Sequence, residues 1–136
     1  MPSIFSRIIS GEIPCHKVAE DGRCLAFLDI RPIVFGHTLV IPKLEIDYYF
    51  DLDDAYMAHL NVFAKKVAHV LRQEVECLRI GVMIAGLEVP HAHIHLIPMN
   101  SISELSFVQP RPVIAEADML ELAARLQSAY KTKDTP

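Results

Sequence analysis

Residues 91–97 read His-Ala-His-Ile-His-Leu-Ile, three imidazoles alternating with apolar side chains. Successive side chains of a β-strand point to opposite faces of its sheet, so positions i, i+2 and i+4 share one face. On a strand, His91, His93 and His95 stand in a row at a spacing of about 7 Å, and Ala92, Ile94 and Leu96 pack behind them. A helix scatters the same three residues around its cylinder, because its neighbours recur every three or four positions. The stretch therefore requires a strand with one histidine-lined face and one face in a core.

The rest of the chain supplies a sheet for that strand. Ile4, Phe5, Ile8 and Ile9 follow a 3.6-residue period that Gly11 and Pro14 end, so 4–10 reads as a short helix. Lys17 to Glu20 reads as a first strand turned at Asp21-Gly22, with Arg23 to Ile30 as its hairpin partner. In that partner Leu25, Phe27 and Asp29 share one face, and Arg31-Pro32 stops it because proline cannot donate to a ladder. His37 to Ile41 forms a third strand after Gly36, ended by Pro42-Lys43. Residues 44–50 are too mixed to assign.

Asp51 or Asp53 can cap the next element. Met57, Leu60, Phe63, Ala64, Val67 and Leu71 then draw an apolar stripe, predicting one long helix over roughly 53–75 with His59 and His69 at its surface. Leu78 to Ala85 and 91–98 are a fourth and a fifth strand, close enough to pair as an antiparallel hairpin. Ala115 to Tyr130 reads as a terminal helix with Met119, Leu122, Ala123 and Leu126 inward, followed by a polar tail. Pro110-Arg111-Pro112 breaks regular structure before it. Strands joined by tight turns, without regular βαβ alternation, predict an α+β fold: a five-stranded antiparallel meander with one long helix, shorter terminal helices, and the helices on one side. Residues 1–136 form one domain, with 101–136 as a C-terminal extension.

Several functions are excluded. The net charge of −4 and the absence of any lysine- or arginine-rich run argue against nucleic acid as a partner. No apolar run is long enough to span a bilayer, and the N-terminus lacks the apolar core of a signal peptide. Cys15, Cys24 and Cys77 are scattered and odd in number, as expected of reduced thiols, so the expected location is cytoplasmic. Gly81 to Gly86 has the spacing of a phosphate loop, but Leu87-Glu88 follows where lysine and a hydroxyl residue are required.

The histidine row remains, and two chemistries use it. A His-x-His pair can close on a zinc ion if a third ligand arrives at about 2 Å. Alternatively, a neutral imidazole keeps a lone pair at pH 7, can attack phosphorus covalently, and leaves again at similar basicity. Spacing alone does not separate them.

The row resembles the signature of the histidine-triad (HIT) superfamily: three histidines separated by apolar residues, then two more apolar ones. Ile4-Phe5-x-x-Ile8-Ile9-x-x-Glu12-Ile13-Pro14 is similar to that family's N-terminal segment. Cys24 to Ile30 and Gly36 to Lys43 are similar to its second and third strands. Together these cover nearly residues 3–100.

The resemblance implies a nucleotide hydrolase or nucleotidyl transferase without a cofactor, a homodimer whose subunits join into a ten-stranded sheet. Its ligand is a purine nucleotide or nucleotide conjugate. The substrates implied are nucleoside phosphoramidates, adenylate conjugates or dinucleoside polyphosphates; a nucleotide-binding interaction module with little turnover is the alternative. It implies that His93 attacks the α-phosphorus to give a nucleotidyl-histidine intermediate and that His95 hydrogen-bonds phosphate oxygens. His91 and His37 stand beside the nucleophile. Asp29 accepts from ribose hydroxyls, and Phe5, Ile8, Phe27, Leu28 and Ile30 line the base pocket. Glu88 and Val89 contact the nucleotide, Glu88 through its backbone N–H.

The chain also departs from the family pattern. The loop over 78–86 lacks the asparagine or glutamine that many members carry, and Leu87 stands where glutamine is frequent. Some bacterial-type members bind a structural zinc through two cysteines and a histidine; this chain has Ser3, Ser6 and Glu45 there, so no metal is expected.

Overall fold

The computed structural model describes residues 2–134; Met1, Thr135 and Pro136, the ends of the expected 1–136 domain and of its polar tail, lie outside the described residues. Its centre is a five-stranded antiparallel sheet of β1 (Lys17–Glu20), β2 (Cys24–Leu28), β3 (Thr38–Pro42), β4 (Arg79–Met83) and β5 (Ile94–Met99). The order across it is β1-β2-β3-β5-β4. The chain meanders through β3, helix α2 (Asp54–Glu74) carries it to the far edge, and β5 returns between β3 and β4. Burial accounts for this order. All of β5 except Met99 is buried and needs a neighbour on each side, whereas β4 is partly exposed along its length, as an edge strand is.

Two helices cover one face. Asp53 caps α2 by accepting from the Tyr56 N–H, and Leu60, Phe63, Ala64, Val67, Val70 and Leu71 are buried beneath it. Helix α3 (Glu116–Asp134) buries the expected Met119, Leu122, Ala123 and Leu126. At 19 residues against 21 for α2, it is the shorter of the two, though close to it in length. Cys24, Ala26, Leu28, Val40, Ile94 and Leu96 face these helices from the sheet. Short helix α1 (Ile4–Ile9) covers the opposite face, where Phe5 packs among Leu25, Phe27, Leu39 and Ile41. Helices therefore lie on both faces, and the expectation of a single covered face is corrected. The alternation along β2 divides it between two cores, one toward α2 and α3 and one toward α1.

Strand β5 starts later than the sequence suggests, because Ile94 is its first residue and His91 and His93 precede it. The pairing of Val40 with Ile94 is the last rung with β3. Two positions on, β3 ends at Pro42, which has no N–H to donate. The Ala92 N–H turns instead to the Ile46 carbonyl at 2.7 Å. No helix among the described residues is long and apolar enough to cross a membrane.

Candidate active site

Each histidine of the row is held by partners that assign its protons. His93 Nδ1 lies 2.7 Å from the His91 carbonyl oxygen. A carbonyl only accepts, so Nδ1 carries a proton, and in the neutral ring Nε2 keeps the lone pair. The Ile33 N–H donates to His37 Nδ1 at 3.0 Å, so the His37 proton is on Nε2. That proton is donated to His95 Nδ1, 2.9 Å away, which leaves His95 Nε2–H as a free donor. The His93 and His95 rings lie 4.8 Å apart at 70°, a lone pair and a donor side by side. His37 therefore stands behind His95 and not beside His93.

His91 does not face the cavity. Its Nε2 donates to the Pro42 carbonyl at 2.8 Å, and its Nδ1 accepts from the Ser3 hydroxyl at 2.8 Å. Both ring nitrogens are occupied and the residue is fully buried. It reaches the site through its backbone carbonyl on His93 and through an edge contact with Phe5, ring centroids 5.8 Å apart.

Ser3 is tied in turn to Glu45, whose Oε1 accepts from the Ser3 N–H and from the Ser6 hydroxyl, both at 2.6 Å. The N–H of Ser3, and then the Ser6 hydroxyl, hold the Glu45 carboxyl below its ordinary range. Ser3, Ser6, Glu45 and His91 thus converge as a hydrogen-bonded cluster. Two hydroxyls, one carboxylate and one imidazole, with no thiolate, do not fit a structural zinc site.

Burial governs the electrostatics. Desolvation pushes His37 and His95 down to about 3 and His91 downward as well, so all three are neutral at pH 7. Asp29 is raised, again chiefly by burial. Its Oδ1 accepts from the Arg31 N–H at 2.8 Å, and its Oδ2 lies 3.6 Å from His37 Nε2.

A cavity of about 1000 Å³ opens beside this row. His93, His95, Phe5, Asp29, Ile30, Glu88 and Val89 line it, so the structure brings these expected residues together. Phe5 packs edge-on to His93 with centroids 5.1 Å apart. Three others do not line it. Phe27 stands behind Phe5, 5.6 Å between rings, and Ile8 packs against the same small core. Leu28 is 1 % exposed and points into the core on the other face of the sheet, because it alternates with Phe27 along β2. The placement of Leu28 in the pocket is thereby corrected.

Sequence reasoning missed one wall. Phe107, Gln109, Arg111, Pro112, Val113 and Ile114 also line the cavity, from the segment between β5 and α3. The available signal was an arginine and aromatic residues within an irregular, proline-broken stretch. Nothing in their spacing says which surface such a stretch will cross.

A two-faced α+β sheet bearing two imidazoles, His93 and His95, at the wall of an open cavity is an arrangement suited to histidine-based chemistry on a small ligand. The HIT domain model matches residues 10–102, and the chain belongs to that family. It is 41 % identical over 133 residues to the adenosine 5'-monophosphoramidase of Schizosaccharomyces pombe, covering 96 % of this chain and 100 % of that protein. Among solved structures, it superposes on a hypothetical histidine triad nucleotide-binding protein from Sulfolobus tokodaii with a TM-score of 0.83 and 26 % identity. That match covers 95 % of this chain and 92 % of the other. A zinc-bound histidine triad family protein from Mycobacterium smegmatis gives a TM-score of 0.79 at 28 % identity, over 97 % and 95 % of the two chains.

Proposed function

We propose that this protein is a nucleotide hydrolase acting at the α-phosphorus of nucleoside phosphoramidates, adenylate conjugates or dinucleoside polyphosphates. The observation that carries this reading is the hydrogen bond from His93 Nδ1–H to the His91 carbonyl, which fixes the tautomer whose neutral ring has its lone pair on Nε2, on an imidazole that lines the cavity. The Nε2 lone pair attacks the phosphorus, a P–N bond forms, and the bond to the leaving group breaks with its electron pair. The positive charge that develops on His93 is stabilised by the carbonyl on Nδ1–H. His95 Nε2–H donates to a phosphoryl oxygen that gains charge in the transition state. Water then attacks phosphorus, the P–N bond breaks, and His93 is regenerated. Asp29, with its carboxylate at the cavity wall, accepts from ribose hydroxyls. The name of the Schizosaccharomyces pombe relative supports phosphoramidates as the first class to test.

The test is incubation with an adenosine phosphoramidate and with a dinucleoside tetraphosphate, comparing the native chain with His93→Ala. Hydrolysis of either that disappears in the variant, with an acid-labile nucleotidyl-protein trapped only in the native chain, is the expected result. Unchanged turnover in His93→Ala overturns the assignment.

A homodimer belongs to the same reading. Edge strand β1 is covered by α3, whereas β4 pairs only with β5 and exposes Leu78, Val82 and Ile84 near its free edge. Pairing of β4 with its copy gives the ten-stranded sheet, and light scattering after size exclusion tests it. The free thiols of Cys15, Cys24 and Cys77 suit a reducing, cytoplasmic location.

A further inference from the structure

The wall contributed by the segment after β5 brings a cation into the site. The Phe107 ring packs against the His95 ring with centroids 4.8 Å apart at 62°. The Arg111 guanidinium carbon lies 5.8 Å from the centroid of Phe107, and its Nη1 donates to the Arg31 carbonyl at 2.6 Å. Arg111 is thus fixed at two points by groups that carry no full negative charge. Among the described residues, the arginines ion-paired to carboxylates are Arg7 and Arg125, and none pairs with Arg111.

The guanidinium acts within the cavity. It opposes burial at Asp29 by favouring the carboxylate, and it adds to burial in keeping His37 and His95 neutral. Asp29 and Glu88 line the same cavity, so an anionic ligand meets two carboxylates there. No side-chain amide occurs in residues 78–90 to offer a donor. An arginine has five N–H groups in a planar fork, and one is spent on the Arg31 carbonyl. Arg31 also lines the cavity, but it is exposed, whereas Arg111 is held in place by Phe107 and the Arg31 carbonyl, so its remaining N–H groups meet phosphate oxygens with matched geometry and charge.

We infer that Arg111 is a substrate-binding residue that takes phosphate oxygens of the bound nucleotide, completing the phosphate site from a segment that crosses the cavity in the same chain. The inference rests on the nucleotide reading proposed above. Phe107 is the positioning residue, because it holds the guanidinium and packs on His95 together.

Calorimetric binding of adenosine, AMP and ADP to the full chain tests this, with Arg111→Ala and Arg111→Lys alongside. Arg111→Ala is expected to weaken AMP by about tenfold or more while leaving adenosine within about twofold, as loss of a charge-assisted contact implies. Arg111→Lys is expected to recover part of that loss. A greater loss for ADP than for AMP places the contact on the phosphate beyond the α-position; equal losses place it on the α-phosphate. Equal weakening of adenosine and AMP makes the segment only a wall and overturns the inference, as does unchanged binding of all three. If Arg111→Ala is silent while His93-dependent hydrolysis persists, Arg111 alone fails. If the native chain binds neither AMP nor ADP, the nucleotide reading itself falls and this inference with it.

Discussion

His37 Nε2 donates to His95 Nδ1 across 2.9 Å, from the residue preceding β3 to the second residue of β5. The two strands are in register here, with Leu39 opposite His95. The contact fixes the one tautomer of His95 that can donate from Nε2 into the cavity. His37→Phe should therefore lower kcat by about one to two orders of magnitude with little change in KM, the pattern of a lost transition-state donor. It also leaves the buried Ile33 N–H without its acceptor, at a cost of about 1–3 kcal/mol. Steady-state kinetics and urea denaturation read the two effects separately.

Acid should destabilise the fold before ordinary carboxylates titrate. His37 and His95 have folded-state pKa values of about 3 against about 6.5 when unfolded, so between those values the unfolded chain binds more protons. Their contribution is complete above pH 6.5 and is lost as pH falls toward 3. Each histidine can add a slope of up to about 1.4 kcal/mol per pH unit in that window. Asp29, raised by burial, works in the opposite sense, in a range that extends upward from its ordinary value and so offsets part of the histidine effect. Tm measured from pH 7.5 to 5 should fall, and it should fall less steeply in a His37→Gln, His95→Gln double variant.

The cluster under His91 offers a structural test. Ser3→Ala removes the donor to His91 Nδ1 and also the cap that accepts the Ser6 N–H of α1. A loss of about 2–3 kcal/mol in chemical denaturation is expected, combining an unsatisfied buried acceptor with a lost N-cap. The three positions also converge closely enough to be re-equipped. Ser3→Cys, Ser6→Cys and Glu45→His together should create a stoichiometric zinc site with His91 as the fourth ligand. Metal analysis of the purified triple variant and of the native chain checks this, with zinc expected only in the variant.

Gly36 precedes His37 with φ +95°, a conformation that side chains disfavour. A Cβ there would also meet Pro98 Cγ and Val75 Cγ2, both at 3.1 Å. Gly36→Ala should cost about 1–3 kcal/mol and shift His37 with it. Urea denaturation combined with the kcat of the surviving folded fraction tests both parts.

Much of the site was legible in the chain because it depends on local periodicity. Alternation placed Ala92, Ile94 and Leu96 in the α2-facing core, and the 3.6-residue stripes located the buried faces of α2 and α3. The same alternation gave Asp29 the face of Leu25 and Phe27, and that face leads to the cavity. Leu28 was misplaced because it sits in the same run, although its parity sends it to the other core.

By itself, the sequence determined which residues could do chemistry and which faces had to be buried, since side-chain type and period are local properties. The tertiary structure alone decided the roles. The proton on His93 is set by a carbonyl two residues away, that on His95 by His37 from another strand, and His91 is locked by Ser3 and Pro42. The assignments of His95 and His91 depend on distances between segments far apart in the chain, and no spacing encodes them; that of His93 is local in sequence but depends on the backbone turn that brings the carbonyl onto its ring. The passage of Arg111 over the cavity is of the same kind, because an irregular segment takes its course from the surfaces it happens to pack against.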